Sequence, residues 1–282
     1  MRTRVLAAMG ILMLPSGLTA QQPTTAGVIL PNTRAHTLTS AHVHDRFVIS
    51  VGLPASYVRD SARRFAVLYV LDADKSFGIA RDVADWLSWA SEVEPLIVVG
   101  IGYENQWWPK RARDMTFSAD RGRLWGAFPT AGGGAAFLRF LQDELIPFIE
   151  RTYRSDSTRR TLAGLSFGGL FGMEALLSEH RAFAQYIMIG PAFAWDSSAV
   201  VRREAAWSSS NQRLEARVYT AIGEHDDPHV PATWRALVAQ MSARRYVGLE
   251  LMSEVLPGET HVSAWPVGLT RGLRRLFGMP PR

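Results

Sequence analysis

The chain has 282 residues, 47% of them hydrophobic and 20% charged, and it contains no cysteine. That balance excludes a disordered, collagen-like or coiled-coil chain, and the missing thiols exclude a disulfide framework, a cysteine nucleophile and a cysteine-ligated metal. The net charge of +5 rests on 31 basic residues, of which only Lys75 and Lys110 are lysine. The arginines are scattered, often as pairs such as Arg63-Arg64 and Arg159-Arg160, so solvated helix faces account for them and no nucleic-acid partner is expected.

Arg2 and Arg4 precede an apolar run from Val5 to Leu14, followed by Pro15, Ser16, Gly17 and a small residue, Ala20, before Gln21. This is the charged, apolar and cleavage pattern of a secretory signal. The run is shorter than the about 20 residues that a membrane-spanning helix needs, so it predicts export to the periplasm or the extracellular space without a stable membrane anchor. Leu18 stands where a smaller residue is usual, which leaves cleavage after Ala26 open beside cleavage after Ala20. The expected organisation is a signal peptide over 1–20, an N-terminal extension over 21–34 and one domain over 35–282.

Strand-like β-branched and apolar runs are predicted at residues 35–41, 46–53, 65–71, 96–101, 160–165, 184–189, 217–222 and 247–253. Helical periodicity is predicted at 77–90, 135–153, 169–178, 231–243 and 269–277. In the last, Leu269, Leu273, Leu276 and Phe277 fall on one face of a 3.6-residue period. Alternating strands and helices without a compositional break predict an α/β fold around a mostly parallel sheet, entered by an antiparallel N-terminal strand pair and covered by helices on both faces. Residues 102–134 break the alternation. That stretch lacks a clear period and carries Tyr103, Trp107, Trp108, Phe117, Trp125 and Phe128 among Lys110, Arg111 and Arg113. Long irregular segments in compact domains are commonly functional, and this one is expected to form a substrate-facing wall.

The segment Thr161-Leu162-Ala163-Gly164-Leu165-Ser166-Phe167-Gly168-Gly169 is an apolar strand running through Gly-x-Ser-x-Gly into a helix-compatible sequence. The bare pattern is weak, but the strand-to-helix context is that of a nucleophile elbow, in which a tight strained turn presents the serine hydroxyl. A serine alcohol needs a base, and a histidine base needs a carboxylate to hold its tautomer. Among seven histidines, His261 stands in a loop after the last predicted strand and is the expected base. Glu224, Asp226 and Asp227 compete for the acid, with Asp226 favoured because it lies three residues after Gly223 at the strand end. Phe167 N–H is one expected oxyanion donor, and Ala73 or Asp74 N–H, after the strand ending at Leu71, is the other. The side chains of Asp72 and Asp74 suit an ordinary N-cap. The cluster Glu224, His225, Asp226, Asp227 and His229, or His42 and His44 with Asp45, could be read as metal ligands. That reading leaves the serine context unexplained, so neither a metal nor another cofactor is expected.

These residues resemble the putative-esterase family of α/β-hydrolases, which includes enterochelin esterases, S-formylglutathione hydrolase, feruloyl esterases and mycolyltransferases. The resemblance is carried by Val67-Leu68-Tyr69-Val70-Leu71-Asp72, Ile97 to Tyr103, Arg111-x-Arg113-Asp114, Phe140 to Pro147, the elbow, and Gly258-Glu259-Thr260-His261. It implies the α/β-hydrolase fold and a Ser166-His261-Asp226 triad acting on a small-molecule ester, with Tyr103, Trp107, Trp108, Arg111, Arg113 and Trp195 in contact with substrate. Ile101-Gly102-Tyr103 and Arg113-Asp114 look most like the enterochelin-esterase branch, whose exported members open siderophore trilactones. Ala73, Leu165 and Asp196 depart from residues common in the family. The expected activity is therefore exported carboxylic-ester hydrolysis of siderophore trilactones or aryl esters. Acyl transfer to an acceptor alcohol and an inactive binding protein are the competing readings, and the oligomeric state stays open.

Overall fold

The computed structural model describes residues 30–119, 124–126 and 128–279. The signal-peptide expectation and most of the N-terminal extension lie outside the described residues. Residues Asn32–Arg282 form one compact unit.

Eight strands build one sheet: β1 (Thr33–Thr39), β2 (Arg46–Gly52), β3 (Phe65–Val70), β4 (Leu96–Tyr103), β5 (Ser155–Leu165), β6 (Gln185–Ile189), β7 (Arg213–His225) and β8 (Val247–Thr260). Their spatial order is β1-β2-β4-β3-β5-β6-β7-β8. β1 pairs antiparallel with β2, and β2 antiparallel with β4, whereas every later pairing is parallel. Every residue of β3 and β4 is buried. That follows from their unbroken apolar sequence, since a parallel strand covered on both faces has no polar side to alternate with. The mostly exposed β1 caps one edge.

The helices are α1 (Ala73–Trp89), α2 (Trp107–Met115), α3 (Gly134–Arg139), α4 (Ile146–Thr152), α5 (Phe167–Leu176), α6 (Trp195–Ser208), α7 (Val230–Arg244) and α8 (Ala264–Phe277), with a π-helical turn over Phe140–Leu145 joining α3 to α4. α1 packs with α8, and α2 packs with α3 and α5. α2 corrects the expectation of an aperiodic segment over 102–134. Its buried face consists of Arg111, Ala112, Asp114 and Met115, so half of it is charged and no apolar stripe marks the helix in the sequence. α6 also escaped the periodicity, and its first turn holds Asp196, Ser197 and Ser198 in left-handed conformations. No helix among the described residues is long and apolar enough to cross a membrane.

Reading across the carboxyl ends of β3, β5, β6, β7 and β8, which neighbour one another in that order, the chain presents Asp72, Ser166, Gly190, Asp226 and His261 at or just past each strand end. Ligands of open α/β sheets bind at this edge.

Candidate active site

Ser166 follows the last residue of β5 with φ 61° and ψ −114°. Such a conformation costs a non-glycine residue about 1–3 kcal/mol and persists only where the surroundings enforce it. Here Ser166 N–H donates to Ile189 O at 2.9 Å, and the Ser166 carbonyl accepts from Leu170 N–H at 3.0 Å and Ala192 N–H at 3.1 Å. Gly164 makes the turn possible, since a Cβ there would sit 2.6 Å from the Gly168 carbonyl carbon.

β7 and β8 run parallel with His225 opposite Thr260, so the next residue of each strand, Asp226 and His261, emerges side by side. His261 Nδ1 and Asp226 Oδ1 are 2.6 Å apart. The Asp226 carboxylate also accepts Asp227 N–H at 2.8 Å and Gly223 N–H at 3.1 Å, and its side chain is fully buried. The two competing acids are otherwise engaged: Glu224 accepts Gly258 N–H at 2.8 Å and Asp227 accepts His229 N–H at 2.9 Å. Gly190, which the sequence reading overlooked, is required by this pair. Its φ is +48°, and a Cβ would stand 3.0 Å from His261 Nδ1 and 3.2 Å from Asp226 Oδ2.

Ser166 and His261 line one cavity of about 310 Å³ together with Trp108, Arg111, Trp125, Phe128, Phe167, Asp227 and Val230. No hydrogen bond joins Ser166 to His261, and nucleophile–base contacts of this kind commonly tighten only when substrate binds. Pairing Nδ1 with Asp226 leaves Nε2 as the ring nitrogen open to the cavity. An imidazole so held beside a strained hydroxyl is the set of groups that turns an alcohol into a nucleophile.

Phe167 begins α5, and Ala73 begins α1, so neither amide has an acceptor one turn back in its own helix. The Asp74 carboxylate accepts Tyr103 N–H at 3.1 Å, and burial raises its pKa above the ordinary value. Asp74 is not among the residues that line the cavity holding Ser166, and neither is Ala73. Asp72 precedes it with φ 54° and ψ 42°, and its side chain does not cap α1. The carboxylate instead receives Arg111 Nε at 2.7 Å, Arg111 Nη2 at 2.8 Å and Trp107 Nε1 at 2.9 Å. Burial works against the Arg111 charge, but the Asp72 carboxylate outweighs it and lifts the guanidinium pKa above its ordinary value.

The expected substrate wall needs correction. Trp108 and Arg111 line the cavity, but Tyr103, Trp107, Arg113 and Trp195 do not. Tyr103 is 5% exposed within the core. Trp107 turns its indole N–H to Asp72. Arg113 binds Asp114 through two nitrogens, at 2.6 and 2.9 Å, and Asp45 at 2.9 Å. Trp195 is buried, donates to Ser118 O at 3.0 Å, and supports Trp125 from behind with nearly parallel rings 6.4 Å apart. Lys110 also pairs with Asp45, at 2.9 Å. The basic residues of this stretch are consumed internally because acidic partners sit within reach in the fold, Asp45 and Asp72 remote in sequence and Asp114 adjacent to Arg113. Trp125, Phe128, Asp227 and Val230 complete the wall; the first two lay in the aromatic stretch, whereas Val230 carried no signal of its own. His42 pairs with Asp143 at 2.9 Å, and no group of three or more His, Asp or Glu side chains suited to a metal occurs among the described residues.

Residues 40–276 match the family model described as Putative esterase. The chain belongs to that family. As a member of it the protein is an esterase, acting on ester bonds. It is 29% identical over 272 residues to the ferri-bacillibactin esterase BesA of Bacillus subtilis, covering 89% of this chain and 91% of that one. The fold superposes on the BES protein from Bacillus cereus with a TM-score of 0.81 at 24% identity, covering 92% of this chain and 100% of the other. An IroE-like serine hydrolase from Shewanella oneidensis gives a TM-score of 0.77 at 25% identity over 87% of this chain and 80% of its own.

Proposed function

We propose that the protein hydrolyses carboxylic esters through an acyl-enzyme on Ser166. His261 Nε2 takes the hydroxyl proton as Ser166 Oγ attacks the acyl carbon, Asp226 holds the imidazole and stabilises its protonated form, and the amides of Phe167 and Ala73 receive the oxyanion. Collapse expels the alcohol, which leaves with the proton from His261. Water, deprotonated by the same imidazole, then attacks the acyl-enzyme and releases the acid and Ser166. The observation that carries this reading is the Asp226-bonded His261 lining the same cavity as the strained Ser166.

The proposed substrate is an aryl-bearing ester, with a catecholate trilactone as the specific candidate. Trp108, Trp125, Phe128 and Phe167 give the cavity aromatic walls, and its volume is at the lower end for ligand sites, suiting one aryl arm rather than three. The printed names of two relatives, a ferri-bacillibactin esterase and a siderophore enterobactin esterase, favour a siderophore ester. Pairing of Lys110, Arg111 and Arg113 with Asp45, Asp72 and Asp114 removes the charge argument for an anionic substrate. Export is part of the proposal and rests on the Arg2–Ala20 pattern alone.

Product analysis by mass spectrometry tests the substrate. Stepwise opening of a catecholate trilactone to linear trimer, dimer and monomer, faster than hydrolysis of simple aryl acetates at equal concentration, is expected. Equal or slower trilactone turnover would remove the siderophore reading and leave an aryl esterase.

A further inference from the structure

Asp72 departs from ordinary behaviour at a helix start. An aspartate at this position commonly turns its carboxylate onto the first-turn amides, but here the backbone carbonyl of Asp72 accepts Lys75 and Ser76 N–H, each at 2.9 Å, while the carboxylate faces away from α1. It meets Arg111 in a two-point contact with both side chains at most 6% exposed, and Trp107 supplies a third donor. Arg111 in turn lies across the other half of the site. Its guanidinium carbon is 5.0 Å from the centre of the Phe167 ring, and Nη2 is 3.5 Å from the Leu165 carbonyl, one residue before Ser166. The Asp72 carboxylate also lies along the start of α5, with Oδ2 3.9 Å from where a Gly168 Cβ would be. One ion pair therefore touches the neighbours of both oxyanion amides: Asp72 immediately precedes Ala73, and Arg111 packs on Phe167 itself.

We propose that Asp72 and Arg111 are positioning residues whose buried ion pair fixes the spacing and aim of the Ala73 and Phe167 amides. The inference rests on the ester-hydrolysis reading and assigns the pair no contact with the reacting atoms. With both carboxylate oxygens engaged, the left-handed turn at Asp72 has a single stable arrangement, and Ala73 N–H points to where the oxyanion develops. Arg111 is thereby a strut rather than an anchor for an anionic substrate, although one edge of it reaches the cavity wall. A donor aimed at the developing oxyanion contributes to kcat, whereas an anchor for bound substrate contributes to KM.

The test compares wild type with Asp72→Asn, Arg111→Lys and Trp107→Phe. For each, kcat and KM are measured on a neutral aryl ester, together with the inhibition constant of an aryl trifluoromethyl ketone, whose hemiketal oxygen occupies the oxyanion position, and of the matching ether, which has no such oxygen. Asp72→Asn and Arg111→Lys are expected to lower kcat by about 30–300-fold, part or all of the effect of losing one oxyanion donor, with KM within about threefold. Ketone affinity should fall by a similar factor and ether affinity should not change. Trp107→Phe, which removes one of three donors to Asp72, should show the same pattern at about 3–10-fold and carries the test if the charged-pair variants do not fold. A rise confined to KM, a loss of ether and ketone affinity together, or variants within threefold of wild type in every constant would overturn the strut. A wild-type enzyme without ester turnover would instead overturn the underlying reading.

Discussion

Two cavities lie near opposite ends of α1, a helix roughly 25 Å long at 1.5 Å per residue, and the larger is not the site. The one beside its last turn measures about 630 Å³ and is lined by Ala55, Ser56, Arg59, Asp85, Trp86, Ser88, Trp89 and Pro95. Two of its walls, Trp86 and Trp89, are exposed rings set edge to face 5.4 Å apart. The cavity near the first turn of α1 has about half that volume. What distinguishes it is convergence: a serine in strained backbone, an imidazole bonded to a buried carboxylate, and the starts of two helices. Reactivity follows from which strand ends meet, not from the space available. Size alone would select the wrong end of α1.

Breaking the convergence should have the largest effect. Asp226→Asn keeps the shape but removes the charge that orients and stabilises the imidazole, and kcat on an aryl ester is expected to fall about 10³–10⁴-fold. Glu224→Gln, two residues away but bonded to Gly258, should stay within about threefold, so steady-state kinetics on the two variants separates the acids. Gly190→Ala is expected to lower kcat by about 10–100-fold, because the added methyl displaces His261 from its place by a fraction of an ångström to an ångström. Retention of full activity in that variant would show that the imidazole tolerates the shift.

Smaller effects sharpen the contrast. Arg113→Gln strips the fully buried Asp114 of its two-point partner. Burial already raises the Asp114 pKa, and a lost charge partner there should cost about 3 kcal/mol, or roughly 6–12 °C in Tm by calorimetry. KM for anionic and neutral aryl esters should change alike, because Arg113 faces Asp45 and Asp114 rather than substrate. At the other end of α1, the double variant Trp86→Ala, Trp89→Ala should leave kcat/KM within about twofold. A tenfold fall would mean that the larger cavity communicates with the chemistry after all.

What could be read from the sequence divides along the range of the interactions involved. The elbow was legible because Gly164, Ser166 and Gly168 act within five residues, and the apolar strands β3 and β4 because burial on both faces writes itself as an unbroken run. His261 and Asp226 were legible from their places after strands, but choosing among Glu224, Asp226 and Asp227 required the β7–β8 register, which no local pattern encodes. The helices after β3 and after the elbow were legible as helices but not in their starts, which lie at Ala73 and Phe167 rather than at 77 and 169. Helix α2 was hidden because ion pairs, Arg111 with the remote Asp72 and Asp114 with its neighbour Arg113, let charged residues occupy positions where apolar ones would mark a face. The same pairs made Arg113 and Lys110 look available to substrate. Gly190 was silent, since its need is set by side chains that arrive 36 and 71 residues later.

The most direct test of the central chemistry is covalent labelling with a fluorophosphonate, followed by intact-mass measurement and peptide mapping. One adduct per chain is expected, mapping to Ser166, absent in Ser166→Ala, and formed at least about 10³-fold more slowly in His261→Ala. Stoichiometric labelling that survives Ser166→Ala, or that proceeds at an undiminished rate without the His261 imidazole, would contradict a nucleophile made at the end of β5 by a base delivered from the end of β8.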